Sequence, residues 1–126
     1  IRKVHEAKAS GSAVSVWGSG SPLREFLYVD DCADACVHLM KHYSGALHIN
    51  VGSGEEVSIL DLTKLVMDVL GYDGVVETDP TKPDGTPRKL LDSSRLEALG
   101  WRPKVGLREG VALAYDSFLA GHGRNI

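Results

Sequence analysis

An α/β fold is what this 126-residue sequence predicts, and three observations predict it. Short strand-like runs alternate with longer helix-like ones instead of gathering in one half of the chain. Glycines and helix-starting residues punctuate those runs at the ends where they are expected. The composition, 43% apolar and 25% charged, is that of a folded domain with material for one compact core.

The elements follow in order. Ile1, Val4 and Lys8 have the spacing of an amphipathic helix already under way, with no capping residue before Ile1 and no methionine. The expectation from that start is the second part of a longer polypeptide. Gly11 ends the helix, and AVSVW (13–17) alternates as a strand before the turn-rich GSGSP. EFLYV (25–29) reads as a short strand. Asp30 or Asp31 then caps a helix whose buried face carries Ala33, Cys36, Val37 and Met40. Leu47 to Val51 reads as a strand ending in a glycine loop. Ser58, with Asp61 three residues on, opens a helix that Gly71 closes. A strand near Val75 to Glu77 leads into DPTKPDGTPRK (79–89), a loop with prolines at 80, 83 and 87. A short helix starts at Ser93 or Ser94 and stops at Gly100, and LREGVALAYDSFLAG (107–121) is the last helix.

The formal net charge of −3 gives no reason to expect nucleic acid or an anionic membrane as partner, so any bound anion must be met locally. No apolar run approaches the roughly 20 residues that span a bilayer, and IRKVHEAK is not a secretory signal. Cys32 and Cys36, four apart on a helix, fit reduced thiols. The expectation is a cytoplasmic protein.

Two features could carry chemistry. Arg24 reads either as a surface arginine paired with Glu25 or Asp30, or as a planar fork of donors offered to a phosphate. Lys82, Arg88 and Lys89 lie in the proline-rich loop, which is either a stiff connector or a segment that closes on an anion at reduced entropic cost. The GSG turns at 18–20 and 52–54 lack the spacing of a dinucleotide or P-loop motif and read as turn glycines. Asp30, Asp34, His38 and His42 recur every four residues, and read as a solvated helix face, with no metal assigned. His5, His48 and His122 stand without a nucleophile motif. Trp101 reads as a core aromatic, and Trp17, beside a glycine turn, as a core aromatic or the wall of a sugar or base pocket.

Three stretches carry a resemblance: VWGSGSPLREFLYVDDCADACVHLM, HINVGSGEEVSILDL and KPDGTPRKLLDSSRLEALGW. In that order they resemble the C-terminal part of the GDP-L-fucose synthase family, within the extended short-chain dehydrogenase/reductase superfamily. The R-E-F-L-x-V-D-D run marks only the superfamily, whereas KPDGTPRKLLD points to that branch. The resemblance covers Ile1 to about Phe118. It implies the substrate-binding part of a Rossmann-type NAD(P)-binding enzyme whose dinucleotide-binding part, with the cofactor fingerprint and all catalytic residues, lies upstream of Ile1. It implies that Arg24 and Lys89 reach the diphosphate of a GDP-sugar. Lys3 stands where the family has an arginine, keeping the charge but losing the bidentate fork. Arg88 and Trp17 are further pocket candidates.

The implied reaction of the whole enzyme is 3,5-epimerisation and NADPH-dependent 4-reduction of GDP-4-keto-6-deoxy-mannose to GDP-L-fucose, by a homodimer, with NADP(H) bound outside this segment. The segment spanning about residues 30–51 is expected to pack on the missing dinucleotide-binding domain. The alternatives are another nucleotide-sugar epimerase or 4,6-dehydratase of the superfamily, and a nucleotide-sugar binding module without turnover.

Overall fold

The structure, a computed structural model, describes residues 1–122 and bears out the α/β class. Helix α1 (Arg2–Ser10) ends at Gly11, whose φ of 69° is the left-handed cap geometry that glycine adopts without strain. Strand β1 (Val14–Trp17) alternates Val14 and Val16 inward with Ser15 and Trp17 outward. Strand β2 is only Leu23–Glu25, and α2 (Val29–His42) begins one residue after Tyr28. Next come β3 (Glu56–Ser58) and α3 (Ile59–Leu70). Strands β4 (Val76–Asp79) and β5 (Arg88–Lys89) flank the proline-rich loop, and α4 (Ser94–Ala98) and α5 (Leu107–Ser117) follow. A wider-turn helical segment, Phe118–His122, kinks at Gly121.

Two small sheets result. β1 pairs in parallel with β4, Val14 opposite Val76 through Trp17 opposite Asp79. In the second sheet β2 lies in the middle, antiparallel to β3 and parallel to β5. The apolar interior is correspondingly divided into two clusters, not the single core the composition predicts. Val4 and Ala7 of α1, Val14 of β1, Val66, Met67 and Leu70 of α3 and Val111 of α5 form the first. Ala35 of α2, Leu96 of α4 and Trp101 form the second, with Leu27, Leu39, Ile49 and Val51 packed against it.

Four sequence expectations are corrected. EFLYV is not a strand: β2 ends at Glu25, and the next three residues are irregular. Asp30 and Asp31 lie inside the first turn of α2 rather than capping it, where their charge still suits the helix dipole. The phase of α2 also differs. Ala33, Cys36, Val37 and Met40 face outward, Met40 being 83% exposed, while Asp31 and Ala35 are buried. The reason is polar: Asp31 Oδ2 accepts the backbone N–H groups of Lys104 and Val105 at 3.0 and 2.9 Å, so α2 docks through a carboxylate. Leu47 to Val51 forms no strand, because no other strand pairs with it among the described residues. Its Ile49 and Val51 pack on the second cluster all the same.

The cap of α3 is as the sequence predicts: Ser58 Oγ accepts the Asp61 N–H at 3.0 Å, and Gly71 closes the helix with φ 64°. The acidic and histidine stripe of α2 is only partly solvated. Trp101 Nε1–H donates to Asp34 at 2.9 Å, as does Lys104 Nζ at 3.0 Å, and the His38 ring reaches the Leu99 carbonyl at 2.9 Å. Asp30 and His42 remain exposed.

Candidate functional site

The centre of interest is the β2–β5 pair. β5, in a stretch the sequence predicts as loop, pairs in parallel with β2, with Leu23 opposite Arg88 and Arg24 opposite Lys89. Paired positions of neighbouring strands present their side chains to the same face, and successive residues alternate faces. Arg24 and Lys89 therefore share one face, while Arg88 shares the other with Glu25 and Glu56. Two cations 65 positions apart in sequence are brought side by side by register alone.

The contacts agree with that division. Arg24 does not pair with Glu25 or Asp30; its guanidinium donates to the Leu23 carbonyl at 2.6 Å. Glu25 points away and accepts the Gly54 N–H at 2.6 Å and the Leu91 N–H at 3.2 Å. Arg88 donates through both Nε and Nη2 to the two oxygens of Glu56, each at 2.7 Å. Its fork is thus spent on fixing β5 to β3. Lys89, by contrast, has no ion pair among the described residues.

A second group forms around Trp17, which is 63% exposed at the end of β1. Lys3 Nζ lies 5.1 Å from the indole ring centre and donates to the Ser15 carbonyl, and Lys82 Nζ lies 5.8 Å from the same ring. Cations over an indole face are held by its quadrupole. Arg2, Lys3 and Trp17 line a cavity of about 440 Å³ with Ile59 and Leu62. Lys3 and Arg24 thus belong to different groups, joined by the 79–89 loop. That loop carries Lys82 over Trp17, and a β-carbon at its Gly85 would lie 3.8 Å from Arg24 Nη2. Sequence reasoning missed Arg2 and the placement of Lys82 because neither has a local signature; only the fold sets them beside Trp17.

Both GSG turns are closed to phosphate by the protein's own carboxylates. Asp84 accepts the Ser19 N–H at 2.6 Å and the Ser19 hydroxyl at 2.9 Å. Glu25 fills the concavity of the second turn, and a β-carbon at Gly52 would come within 2.5 Å of its Oε1. N–H groups that could cradle an anion already hold one. The residues present do not fit the diphosphate of a dinucleotide at either turn.

Two carboxyls are shifted by these contacts. The Arg88 fork holds Glu56 below the usual carboxylate range, and the Trp101 indole N–H, with Lys104, does the same for Asp34. No group of His, Cys, Asp and Glu among the described residues could hold a metal ion, and no helix there is long and apolar enough to cross a membrane.

With this geometry established, three comparisons are informative. The profile of the NAD dependent epimerase/dehydratase family matches residues 1–52. GDP-L-fucose synthase 1 of Arabidopsis thaliana is 59% identical over 120 residues, which are 94% of this chain and 37% of that protein. GDP-L-fucose synthase of Escherichia coli K12 is 45% identical over 98% of this chain and 42% of its own length. A GDP-L-fucose synthetase crystal structure from Naegleria fowleri superposes with a TM-score of 0.88 at 26% identity, over 96% of this chain and 38% of that one. The chain thus spans about two fifths of the length of the relatives it matches.

The titration of Glu56 tests the assignment of Arg88 to structure. A carboxyl with a lowered folded pKa contributes stability that is complete above the unfolded value, about pH 4, and lost as pH falls through the folded one. Carboxyl-carbon NMR should find Glu56 below the ordinary range and returned to it in Arg88→Met. An unmoved Glu56 in that variant would contradict the pairing.

Proposed function

We propose that this polypeptide, a relative of the GDP-L-fucose synthases along nearly its whole length, is the C-terminal, substrate-holding part of such an enzyme. The whole enzyme converts GDP-4-keto-6-deoxy-mannose to GDP-L-fucose by 3,5-epimerisation and NADPH-dependent 4-reduction. The observation that carries the reading is the register that sets Arg24 beside Lys89 on one face.

The chemistry suits a nucleotide diphosphate. The Arg24 guanidinium offers two parallel donors to phosphoryl oxygens, and the Lys89 ammonium offers a compact charge beside it. Each charge-assisted hydrogen bond contributes on the order of 1.5–3 kcal/mol. The exposed indole of Trp17 walls the base or sugar end of the pocket, and Lys3 and Lys82, held over the ring, add positive potential there. The nucleotide sugar is thereby held at two points and carried toward the rest of the active site. No residue of this chain is assigned to proton or hydride transfer. NADP(H) is bound by the part of the longer polypeptide outside this segment, since both GSG turns here are filled.

The outward face of α2 belongs to the same reading. Val29, Val37, Met40 and Leu47 are 68%, 46%, 83% and 66% exposed, more apolar surface in one region than water favours. This face, with the stretch at 47–51, packs on the dinucleotide-binding domain. The intact enzyme is a cytoplasmic homodimer, in keeping with two free, exposed cysteines.

In the full-length polypeptide, calorimetry should find GDP-fucose bound well ahead of UDP-glucose and dTDP-glucose. Arg24→Met and Lys89→Met should each weaken it by about 10- to 100-fold. Affinity unchanged in both variants, or preference for a UDP-sugar, would defeat the reading. Met40→Ala in the same polypeptide should cost about 2–5 kcal/mol in urea unfolding, as a buried methionine does. A cost under about 0.5 kcal/mol, the value for a surface site, would remove the α2 face from the domain interface.

A further inference from the structure

Glu25 is the one charged side chain next to Arg24 that the binding reading leaves without a role. Its carboxylate bridges three segments. It stands on β2, its Oε1 accepts the Gly54 N–H at 2.6 Å, and its Oε2 accepts the Leu91 N–H at 3.2 Å. Gly52 lies against both oxygens, with room for no β-carbon. Leu91 is two residues beyond Lys89, and β5 is only two residues long, too short to hold its own register. A second tie runs alongside, from Asn50 Nδ2 to the Asp92 carbonyl at 3.1 Å.

We propose that Glu25 is a positioning residue that sets the Lys89 ammonium beside Arg24 by holding the backbone at Leu91, so that an anionic ligand depends on a nearby anion. The inference rests on the nucleotide-diphosphate reading above. A charge-assisted bond to a backbone N–H is stronger than a neutral one, and it fixes the chain where it leaves β5. In Glu25→Gln the amide oxygen can accept one of the two N–H groups, while the amide NH₂ faces the other, so one tie is lost.

The sign of the effect separates positioning from charge. Acting only through its field, a carboxylate next to Arg24 repels a diphosphate, so Glu25→Gln would tighten binding. Acting through Leu91, the same substitution weakens it. In the full-length polypeptide we expect GDP-fucose affinity to fall about tenfold in Glu25→Gln. The loss should persist in an Arg24→Met background and shrink below about threefold in a Lys89→Met background, where no ammonium remains to be placed. Gly52→Ala keeps the charge but displaces the carboxylate, and should show the same tenfold loss; it carries the test if Glu25→Gln does not fold. Unchanged or tighter binding in either variant overturns the inference, as does a full tenfold loss in the Lys89→Met background, which would mean general loosening. A wild-type protein that does not bind GDP-fucose overturns the proposed function and this inference with it, whereas wild-type binding with unaffected variants overturns this inference alone.

Discussion

The parallel pairing of Leu23 and Arg24 with Arg88 and Lys89 is the constraint on which the site depends. A two-residue strand contributes too few ladder bonds to define a register alone. Here the register is fixed from both ends. Before it, the Leu23 N–H donates to the Pro87 carbonyl at 2.8 Å, and Asp84 ties the loop to Ser19. Across it, the Arg88 fork grips Glu56 on β3. After it, Glu25 and Asn50 hold Leu91 and Asp92. Prolines 80, 83 and 87 restrict what the unfolded loop can sample, so less entropy is lost in making these contacts.

Acidic groups do the holding throughout. Asp84 and Glu25 fill the two glycine turns, Asp31 receives the backbone at Lys104 and Val105, and Asp34 receives Trp101 and Lys104. A chain with net charge −3 can still present a basic face, because these four carboxylates are each engaged by N–H donors of the protein itself. What is left on the outer face at β2 and β5 is an arginine and a lysine, with two further lysines around an exposed indole. Any attraction this face exerts on an anion is local, since the overall charge is negative.

Much of the fold was legible in the sequence where the signals are local. Gly11, the Ser58 and Asp61 pair, Gly71 and the alternation of Val14 and Val16 each act within a few residues and each is realised. What failed is non-local. β3 and β5 exist only through pairing with β2, and nothing in GEEVS or PRK announces a strand. Leu47 to Val51 has a strand's apolar pattern but no paired neighbour among the described residues. The phase of α2 was misread because apolar spacing alone places Met40 inside, while the decisive contact is the buried carboxylate of Asp31. The same holds for the site. Arg24 and Lys89 are identifiable as residue types that suit a phosphate, and Arg88 equally so. Only the register shows that the first two share a face and that the third is committed to Glu56.

The most direct test is a crystal structure of the full-length polypeptide with GDP-fucose bound. The account places diphosphate oxygens within about 2.7–2.9 Å of both the Arg24 guanidinium and Lys89 Nζ, on the β2–β5 face opposite Glu56. A diphosphate held elsewhere, with Arg24 and Lys89 both facing solvent, would contradict it.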